Sequence, residues 1–221
     1  MTMRSLTGIP RHVIFDMDGV LVDSFPVMRE AFAVAYRETV GDGPAPFPEY
    51  TRHLGRYFPD IMRIMGLPLA LQEPFVRESY RLEGQVPLFD GVRELLTELN
   101  RRGVGLAVAT GKSGERARSL LRRLDALHHF AHVIGSDEVA RAKPAPDIVL
   151  RAMTLLGAKP DDTVMVGDAV TDLASARDAG IAGIAAVWAD TDEPALLAMR
   201  PAAVLRTPGE LLALLGQPAA R

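Results

Sequence analysis

Three aspartates lie close together in the stretch HVIFDMDGVLVDS, residues 12 to 24. Asp16 and Asp18 follow a short apolar run, and Asp23 comes five residues after Asp18. Residues two apart in extended backbone point the same way, so the first pair of carboxylates can face one site. Carboxylates that close repel each other, which raises a pKa unless a cation lies between them. A hard divalent ion removes this conflict, and Mg²⁺ is the usual ion where phosphate is the substrate.

Two further apolar runs end in reactive side chains. One ends with Thr110 in LAVATGK, and another ends with Asp168 in VMVGD, which is followed by Asp172. In an open α/β sheet the binding crevice lies at the carboxyl ends of the strands, so these groups are predicted to share one site. Each fragment alone also fits ordinary turn and helix-capping chemistry. Their occurrence at successive strand ends, in one order, is hard to obtain from capping rules.

The elements that must position these residues alternate short apolar runs with helical patterns. This alternation is typical of βαβ units and predicts an α/β fold with a mostly parallel sheet. The predicted strands are residues 12–16, 104–109, 131–134, 163–166, 181–187 and 202–205. The predicted helices between them are residues 91–102, 113–124, 146–157, 170–179 and 208–215.

Residues 24 to about 88 have a different pattern. They contain turn clusters such as GDGPAPFP and no convincing strand. Helical patterns cover residues 26–40, 58–66 and 69–83. The stretch is therefore predicted to be a helical insert between the first strand and the rest of the α/β domain.

The composition is that of an ordinary globular protein of 221 residues, 48% of them hydrophobic. A net charge of −3 provides no basic field for nucleic acid. The chain has no cysteine, which removes disulfides, thiol nucleophiles and thiolate metal sites and fits an intracellular protein. No run approaches the ~18 apolar residues of a membrane span, and the N-terminus lacks an apolar signal core. A cytoplasmic location is therefore expected.

The segments DMDGVLVDS, ATGK, KPAPD and GDAVTD resemble, in order and approximate spacing, the four motifs of the haloacid dehalogenase superfamily. More narrowly, the chain resembles the phosphoglycolate phosphatase and β-phosphoglucomutase-like branch, whose helical cap is inserted just after the first motif. The resemblance covers nearly the whole chain. It implies a Rossmann-like three-layer core, residues 1–22 and 89–221, and an inserted α-helical cap, residues 23–88.

The resemblance also implies roles for the acidic motif residues. Asp16 is the expected nucleophile, which becomes an aspartyl phosphate, and Asp18 is the expected general acid and base. Mg²⁺ is expected to bind the Asp16 carboxylate, the Asp18 backbone carbonyl and Asp168. Asp172 is expected to orient metal-bound water or Lys143 rather than to bind the metal directly.

The basic and hydroxyl residues of the motifs are expected to hold the phosphate. Phosphate oxygens would bind the Thr110 hydroxyl and the backbone amides of Gly111 and Lys112, at the start of a helix whose dipole favours anions. Lys143 would counter the charge gathered around Asp16 and the transferring phosphoryl group. Many relatives have serine at the position of Thr110, and the hydroxyl is retained.

The cap loop TRHLGRYF, residues 51–58, is expected to read the leaving group. Relatives carry here a loop around a glycine that enters the active site, and Gly55 would be that glycine. The candidate substrate contacts beside it are Arg52, His53, Arg56 and Tyr57. These groups favour a polar or ring-bearing leaving group over a bare two-carbon acid. The alternative is a helix-to-helix turn with surface arginines. Asp23, just before the cap, is expected to act as a cap or hinge contact and not in catalysis.

The expected function is Mg²⁺-dependent hydrolysis of a small organic phosphate monoester: a sugar, glycoside or nucleoside phosphate, or a phosphoglycolate-like ester. A phosphosugar mutase of the β-phosphoglucomutase type shares every core motif and stays open. A catalytically inactive binding module with the same fold is the second alternative, and the retained motif residues argue against it. A dehalogenase needs no metal, and its pattern lacks the second aspartate, so Asp18 argues against that activity. No nucleic acid or membrane partner is expected, and the sequence carries no signal for the oligomeric state.

Overall fold

Six parallel strands form one sheet in the order β3-β2-β1-β4-β5-β6 in the computed structural model, which describes residues 10–216. The strands are β1 His12–Phe15, β2 Gly105–Thr110, β3 His132–Gly135, β4 Thr163–Gly167, β5 Ala182–Ala186 and β6 Ala203–Leu205. Every predicted strand is present, with bounds that differ by one residue or a few. The outer ends of the predicted core domain, residues 1–9 and 217–221, lie outside the described residues.

The central strand β1 brings the first motif to the edge of the sheet. It pairs with β2 on one side and β4 on the other, in a register that sets Phe15 beside Val108 and Val166. Its apolar run is typical of a parallel strand that is buried on both faces. Because the carboxyl ends of β1 and β4 meet at one edge, Asp16 and Asp168 emerge side by side.

Helices cover both faces of this sheet and give the core three layers. The core helices are α5 Val92–Arg101, α6 Gly114–Arg123, α7 Asp147–Leu156, α8 Val170–Asp178, α9 Glu193–Ala198 and α10 Glu210–Leu214. Val13 and Phe15 of β1 pack in one apolar cluster with α5, α6 and α10. Ile14, which points the opposite way, packs in a second cluster with α7 and α8. Because side chains alternate along a strand, β1 contributes to the apolar layers on both faces of the sheet. The fold is the Rossmann-like α/β architecture that the sequence predicts.

The segment between β1 and α5 is helical and has an apolar cluster of its own. Its α-helices are α1 Phe25–Thr39, α2 Phe47–Thr51, α3 Phe58–Ile64 and α4 Gln72–Leu82. Phe32 stacks on Tyr50 with ring centroids 4.7 Å apart, and Phe58 stacks on Phe75 at 4.4 Å. Three of these helices begin with the dipeptide Phe-Pro, whose proline fixes the backbone for the first turn.

The two chain crossings between this segment and the core lie side by side. Val22 pairs antiparallel with Leu88, and the backbone amide of Asp23 donates to the carbonyl of Pro87 at 3.0 Å. The proposed cap boundaries, between residues 22 and 23 and between 88 and 89, fall at this pairing. Asp23 contributes to the crossing through its backbone.

Short helices are the main difference from the predicted elements. The sequence analysis did not predict α2 or α9, because helices of five and six residues carry too little apolar periodicity. The Asp192 side chain caps α9 by accepting the Ala195 amide at 3.1 Å. The helix predicted at 69–83 begins as a 3₁₀ turn, Leu69–Leu71, before α4. Among the described residues, no helix combines the length and apolar character that a membrane crossing requires.

Candidate active site

Three carboxylates meet at the carboxyl edge of the sheet. Asp16 follows β1, Asp168 follows β4 and Asp172 lies in the first turn of α8, and one oxygen from each lies within 4.8 Å of the others. Asp16 and Asp172 are buried, and Asp168 is half-buried. Burial and the neighbouring Asp172 raise the pKa of Asp16 to about 7. Burial and the charge of Asp16 also raise the pKa of Asp168 well above its ordinary value.

Lys143 compensates part of this negative charge. Its buried ammonium donates to Asp16 Oδ1 at 2.9 Å, to Asp172 Oδ1 at 2.6 Å and to the carbonyl of Ala109 at 3.0 Å. All three ammonium donors therefore have acceptors. Burial alone would lower the pKa of Lys143, but Asp16 and Asp172 outweigh that effect and raise it. The lysine stays charged and holds residues from four parts of the core together.

The donor set of this cluster fits a hard divalent cation. One ammonium faces three carboxylates, and burial together with the neighbouring carboxylates raises the pKa values of Asp16 and Asp168. Asp172 already uses both oxygens, because its Oδ2 accepts the Ala169 amide at 3.0 Å. Asp16 and Asp168 are therefore the carboxylates best placed to bind a cation, and Asp172 positions Lys143.

Asp18 has a different set of partners. Its Oδ1 accepts a hydrogen bond from the Ser24 hydroxyl and lies 3.1 Å from the Lys112 ammonium. Burial acts to raise the pKa of Asp18, but Lys112 and Ser24 outweigh it and lower the pKa. Asp18 is therefore ionised near neutral pH in this arrangement, which is the state that a proton acceptor requires. The sequence analysis assigned only the backbone amide of Lys112 and missed this contact of its side chain.

The turn after β2 is held by Thr110. This residue is fully buried, and its hydroxyl accepts the backbone amide of Lys112 at 3.2 Å. Its carbonyl accepts the Ser136 hydroxyl at 3.0 Å. Gly111 and Lys112 border the cavity described next, whereas Thr110 is not among its lining residues.

A cavity of about 40 Å³ lies between the cap helices and this edge of the sheet. The core lines it with charged groups, among them Asp16, Asp18, Asp168 and Lys112. The cap lines it mostly with apolar and aromatic side chains, namely Met28, Tyr50, Leu54, Phe58, Ile61 and Phe75. The cavity therefore joins a reactive, charged floor to an apolar cover, which is the usual composition of a small-molecule site.

Three of the predicted cap-loop contacts lie away from this cavity. Arg52 pairs with Glu49 at 3.0 Å with 74% of its side chain exposed, and His53 contacts the same carboxylate at 3.3 Å. These spacings of three and four residues follow from α2, whose helical turn brings both side chains to Glu49. Tyr57 borders a separate surface cleft beside α6. The sequence identified the loop but could not show which of its side chains face the cavity.

The remaining part of the loop meets the core through the backbone of the loop. Gly55 and Arg56 line the cavity. The Thr171 hydroxyl donates to the carbonyl of Leu54 at 3.1 Å. A Cβ atom added at Gly111 would lie 2.7 Å from the Arg56 carbonyl oxygen and 2.8 Å from that of Gly55. Gly111 therefore permits the close approach of the cap loop to the second motif.

Comparison with known proteins identifies the family. The family model of the haloacid dehalogenase-like hydrolases matches residues 10–180, a range that contains all four motifs. The chain belongs to this family. It is 33% identical over 213 residues to IndB of Dickeya dadantii (strain 3937), named as a probable phosphatase, with 90% of this chain and 91% of that protein covered.

Two further similarities agree with the family. The chain is 35% identical over 195 residues to a phosphoglycolate phosphatase of Xylella fastidiosa (strain 9a5c), covering 83% of each protein. Its fold is similar to a solved structure from Thermotoga maritima that is assigned as a β-phosphoglucomutase, with a TM-score of 0.72, 29% identity and coverage of 92% and 97% of the two chains. The protein is an enzyme of the phosphatase class within the haloacid dehalogenase-like hydrolases.

The variant Gly111→Ala tests whether the cap loop must dock as observed. We expect kcat/KM for 4-nitrophenyl phosphate to fall roughly tenfold or more, equivalent to ~1.4 kcal/mol of transition-state stabilisation, because the new methyl group displaces the Gly55 and Arg56 carbonyls. The melting temperature should change little, since the site lies between two folded parts. The control is Gly209→Ala, where an added Cβ meets nothing within 4 Å. Wild-type kinetics in Gly111→Ala would contradict the need for this contact.

Proposed function

We propose that the protein is a Mg²⁺-dependent phosphatase that hydrolyses a small organic phosphate monoester through an aspartyl phosphate on Asp16. The observation that carries the proposal is the setting of Asp16 at the end of the central strand. Its carboxylate is bound to Lys143 at 2.9 Å, lies beside Asp168 and borders the cavity under the cap. The phosphatase relatives support the same reaction.

In the first step an oxygen of Asp16 attacks phosphorus, and the bond from phosphorus to the ester oxygen breaks. Asp18 gives its proton to the departing oxygen, so the alcohol leaves neutral. Lys143 offsets the negative charge that collects around Asp16. A divalent cation, held by Asp16, Asp168 and the Asp18 backbone carbonyl, would supply the positive charge that lets a carboxylate approach a phosphate dianion.

In the second step Asp18 takes a proton from water, and the water oxygen attacks phosphorus. The bond between phosphorus and Asp16 breaks, which releases inorganic phosphate and restores the carboxylate. The lowered pKa of Asp18 suits this step, because the residue is ionised at neutral pH. The first step needs Asp18 in its protonated form. The rate of that step therefore depends on how strongly the leaving group requires a proton.

We propose that residues 23–88 act as the cap over a core formed by residues 1–22 and 89–221. The apolar wall of Tyr50, Phe58 and Phe75 supports a role in excluding water from the phosphorylated intermediate. The phosphate oxygens would bind Gly111, Lys112 and the helix that follows, with Thr110 shaping the turn. Of the loop residues, Gly55 and Arg56 are the proposed substrate contacts because they line the cavity, whereas Arg52, His53 and Tyr57 do not line it.

A phosphosugar mutase is the alternative that the similarity to the Thermotoga structure favours. The two reactions share the aspartyl phosphate and differ in the acceptor, which is water in a phosphatase and a sugar hydroxyl in a mutase. Incubation with sugar monophosphates and their bisphosphates, followed by ³¹P NMR, distinguishes them. Release of inorganic phosphate in proportion to substrate loss supports the phosphatase, and isomerised sugar phosphate with little inorganic phosphate would support the mutase.

The variant Asp16→Asn tests the nucleophile. We expect kcat to fall roughly a thousandfold or more, because an amide cannot attack phosphorus, while Lys143 keeps its contact with Asp172 and the fold persists. The matched control is Asp23→Asn, seven residues along the same stretch, with expected wild-type turnover. Steady-state kinetics and acid-quenched intact-mass analysis measure both. A phosphorylated intermediate or substantial turnover in Asp16→Asn would remove this residue from the proposed role.

The variant Asp18→Asn separates the two proton transfers. With an alkyl ester, phosphorylation of Asp16 should be slow because the departing alkoxide lacks a proton donor. With 4-nitrophenyl phosphate, whose leaving group needs no proton, a burst of nitrophenol should precede a slow steady state, since water still lacks its base. Rapid quench measures the burst and the trapped phosphoenzyme. Absence of both with the aryl ester, in a folded variant, argues against Asp18 as the acid and base.

A further inference from the structure

Arg116 is a cation on the cavity wall that the reaction described above does not use. It lies in the first turn of α6 and borders the same cavity as Asp16 and Asp18. The residue is half-buried, and its guanidinium carbon lies 5.3 Å from the centroid of the Phe75 ring. Within residues 10–216, its guanidinium makes no hydrogen bond and no ion pair. A planar group with five donors therefore borders the site without an acceptor.

No carboxylate among residues 10–216 forms an ion pair with Arg116. Lys112, the nearby cation of the same cavity, is paired with Asp18 at 3.1 Å. Burial lowers the pKa of Arg116, although the charges of Asp18 and Glu83 act in the opposite direction. An anionic ligand that enters the cavity would find these donors free, and a hydrogen bond between a guanidinium and an anion is stronger than one between neutral groups.

The shape of the surroundings limits which anion fits. The Arg116 guanidinium lies over the Phe75 ring, and a planar guanidinium can bind a carboxylate with two parallel hydrogen bonds. The same cavity has to hold the phosphoryl group at Asp16 as well as the group bound by Arg116. A carboxylate is smaller than a second phosphate and therefore suits this space better.

We propose that Arg116 determines specificity by binding a carboxylate on the alcohol part of the substrate, so that the physiological ester is a small phosphorylated hydroxy acid. This inference rests on the proposed phosphatase function. It moves recognition of the leaving group from the loop cations Arg52 and His53 to a residue of the core, with the aromatic side chains of the cap as cover. The phosphoryl end of the ester would lie at Asp16 and its carboxylate at Arg116.

The test uses two esters of equal size, phosphoglycolate and its neutral amide. Wild-type enzyme should favour the carboxylate in kcat/KM by roughly tenfold or more, because a site built to bind a charged group rejects the analogue that lacks it. Arg116→Met should reduce this ratio roughly tenfold or more, and Arg116→Lys should give an intermediate ratio, since it keeps the charge and loses the planar fork. The control Arg122→Met removes an exposed arginine from the same helix and should keep the wild-type ratio.

A wild-type ratio near one, or an unaltered ratio in Arg116→Met, would overturn the proposal. Equal losses on both esters at an unchanged melting temperature would also overturn it, because Arg116 would then serve phosphoryl transfer in general. If Arg116→Met does not fold, the same ratio is measured in Arg116→Gln.

Failure of the phosphatase function itself is distinguishable, since the wild type would then release no phosphate from 4-nitrophenyl phosphate either. In that event the Kd values of the two esters are measured by calorimetry for Asp16→Asn and for the double variant that also carries Arg116→Met. These values still show whether Arg116 binds the carboxylate. Roughly tenfold tighter binding of the carboxylate that depends on Arg116 supports the proposal, and equal Kd values overturn it.

Discussion

The buried ammonium of Lys143 is the interaction on which the site depends. It joins Asp16 at the end of β1, Asp172 in α8 and the carbonyl of Ala109 in β2, and its side chain is fully buried. Removing one partner of such a buried ion pair typically costs about 3–5 kcal/mol, because the remaining charge is left without compensation. The same interaction also fixes the chemistry. It orients Asp16, and it leaves the carboxylate cluster with more negative than positive charge. The remaining negative charge favours the binding of a cation.

The core and the cap contribute different kinds of side chains to the cavity. The core supplies the charged groups, and the cap supplies Tyr50, Phe58 and Phe75 as an apolar cover. A cover with few polar groups excludes water and strengthens the electrostatic interactions below it. The close contact at Gly111 and the hydrogen bond from the Thr171 hydroxyl to the Leu54 carbonyl hold the loop of the cap near the core. Specificity can reside in a core arginine under such a cover.

Much of the fold and of the charged floor could be predicted from the sequence. Strands of a buried parallel sheet are continuous apolar runs in the sequence. The carboxyl ends of parallel strands lie at one edge of the sheet, so the polar residues that follow the strands meet there. The pairing of Lys112 with Asp18 and the exposure of Arg116 to the cavity could not be predicted, because both depend on the direction of long side chains across separate elements. The sequence also predicted the cap loop as a contact region. Gly55 and Arg56 of this loop line the cavity, whereas Arg52 and His53 contact Glu49, three and four residues before them.

The carboxylate cluster, in which three carboxylates face one ammonium, is expected to bind a divalent cation that compensates its remaining negative charge. Isothermal titration of Mg²⁺ in buffers of different ionisation enthalpy tests it most directly, because the dependence on buffer gives the number of protons released. With the pKa of Asp16 raised to about 7 and that of Asp168 raised as well, binding at pH 7 should release on the order of one proton, and fewer as the pH rises further and the carboxylates are already ionised. Binding without proton release at pH 7, or no binding of a divalent cation, would contradict the account.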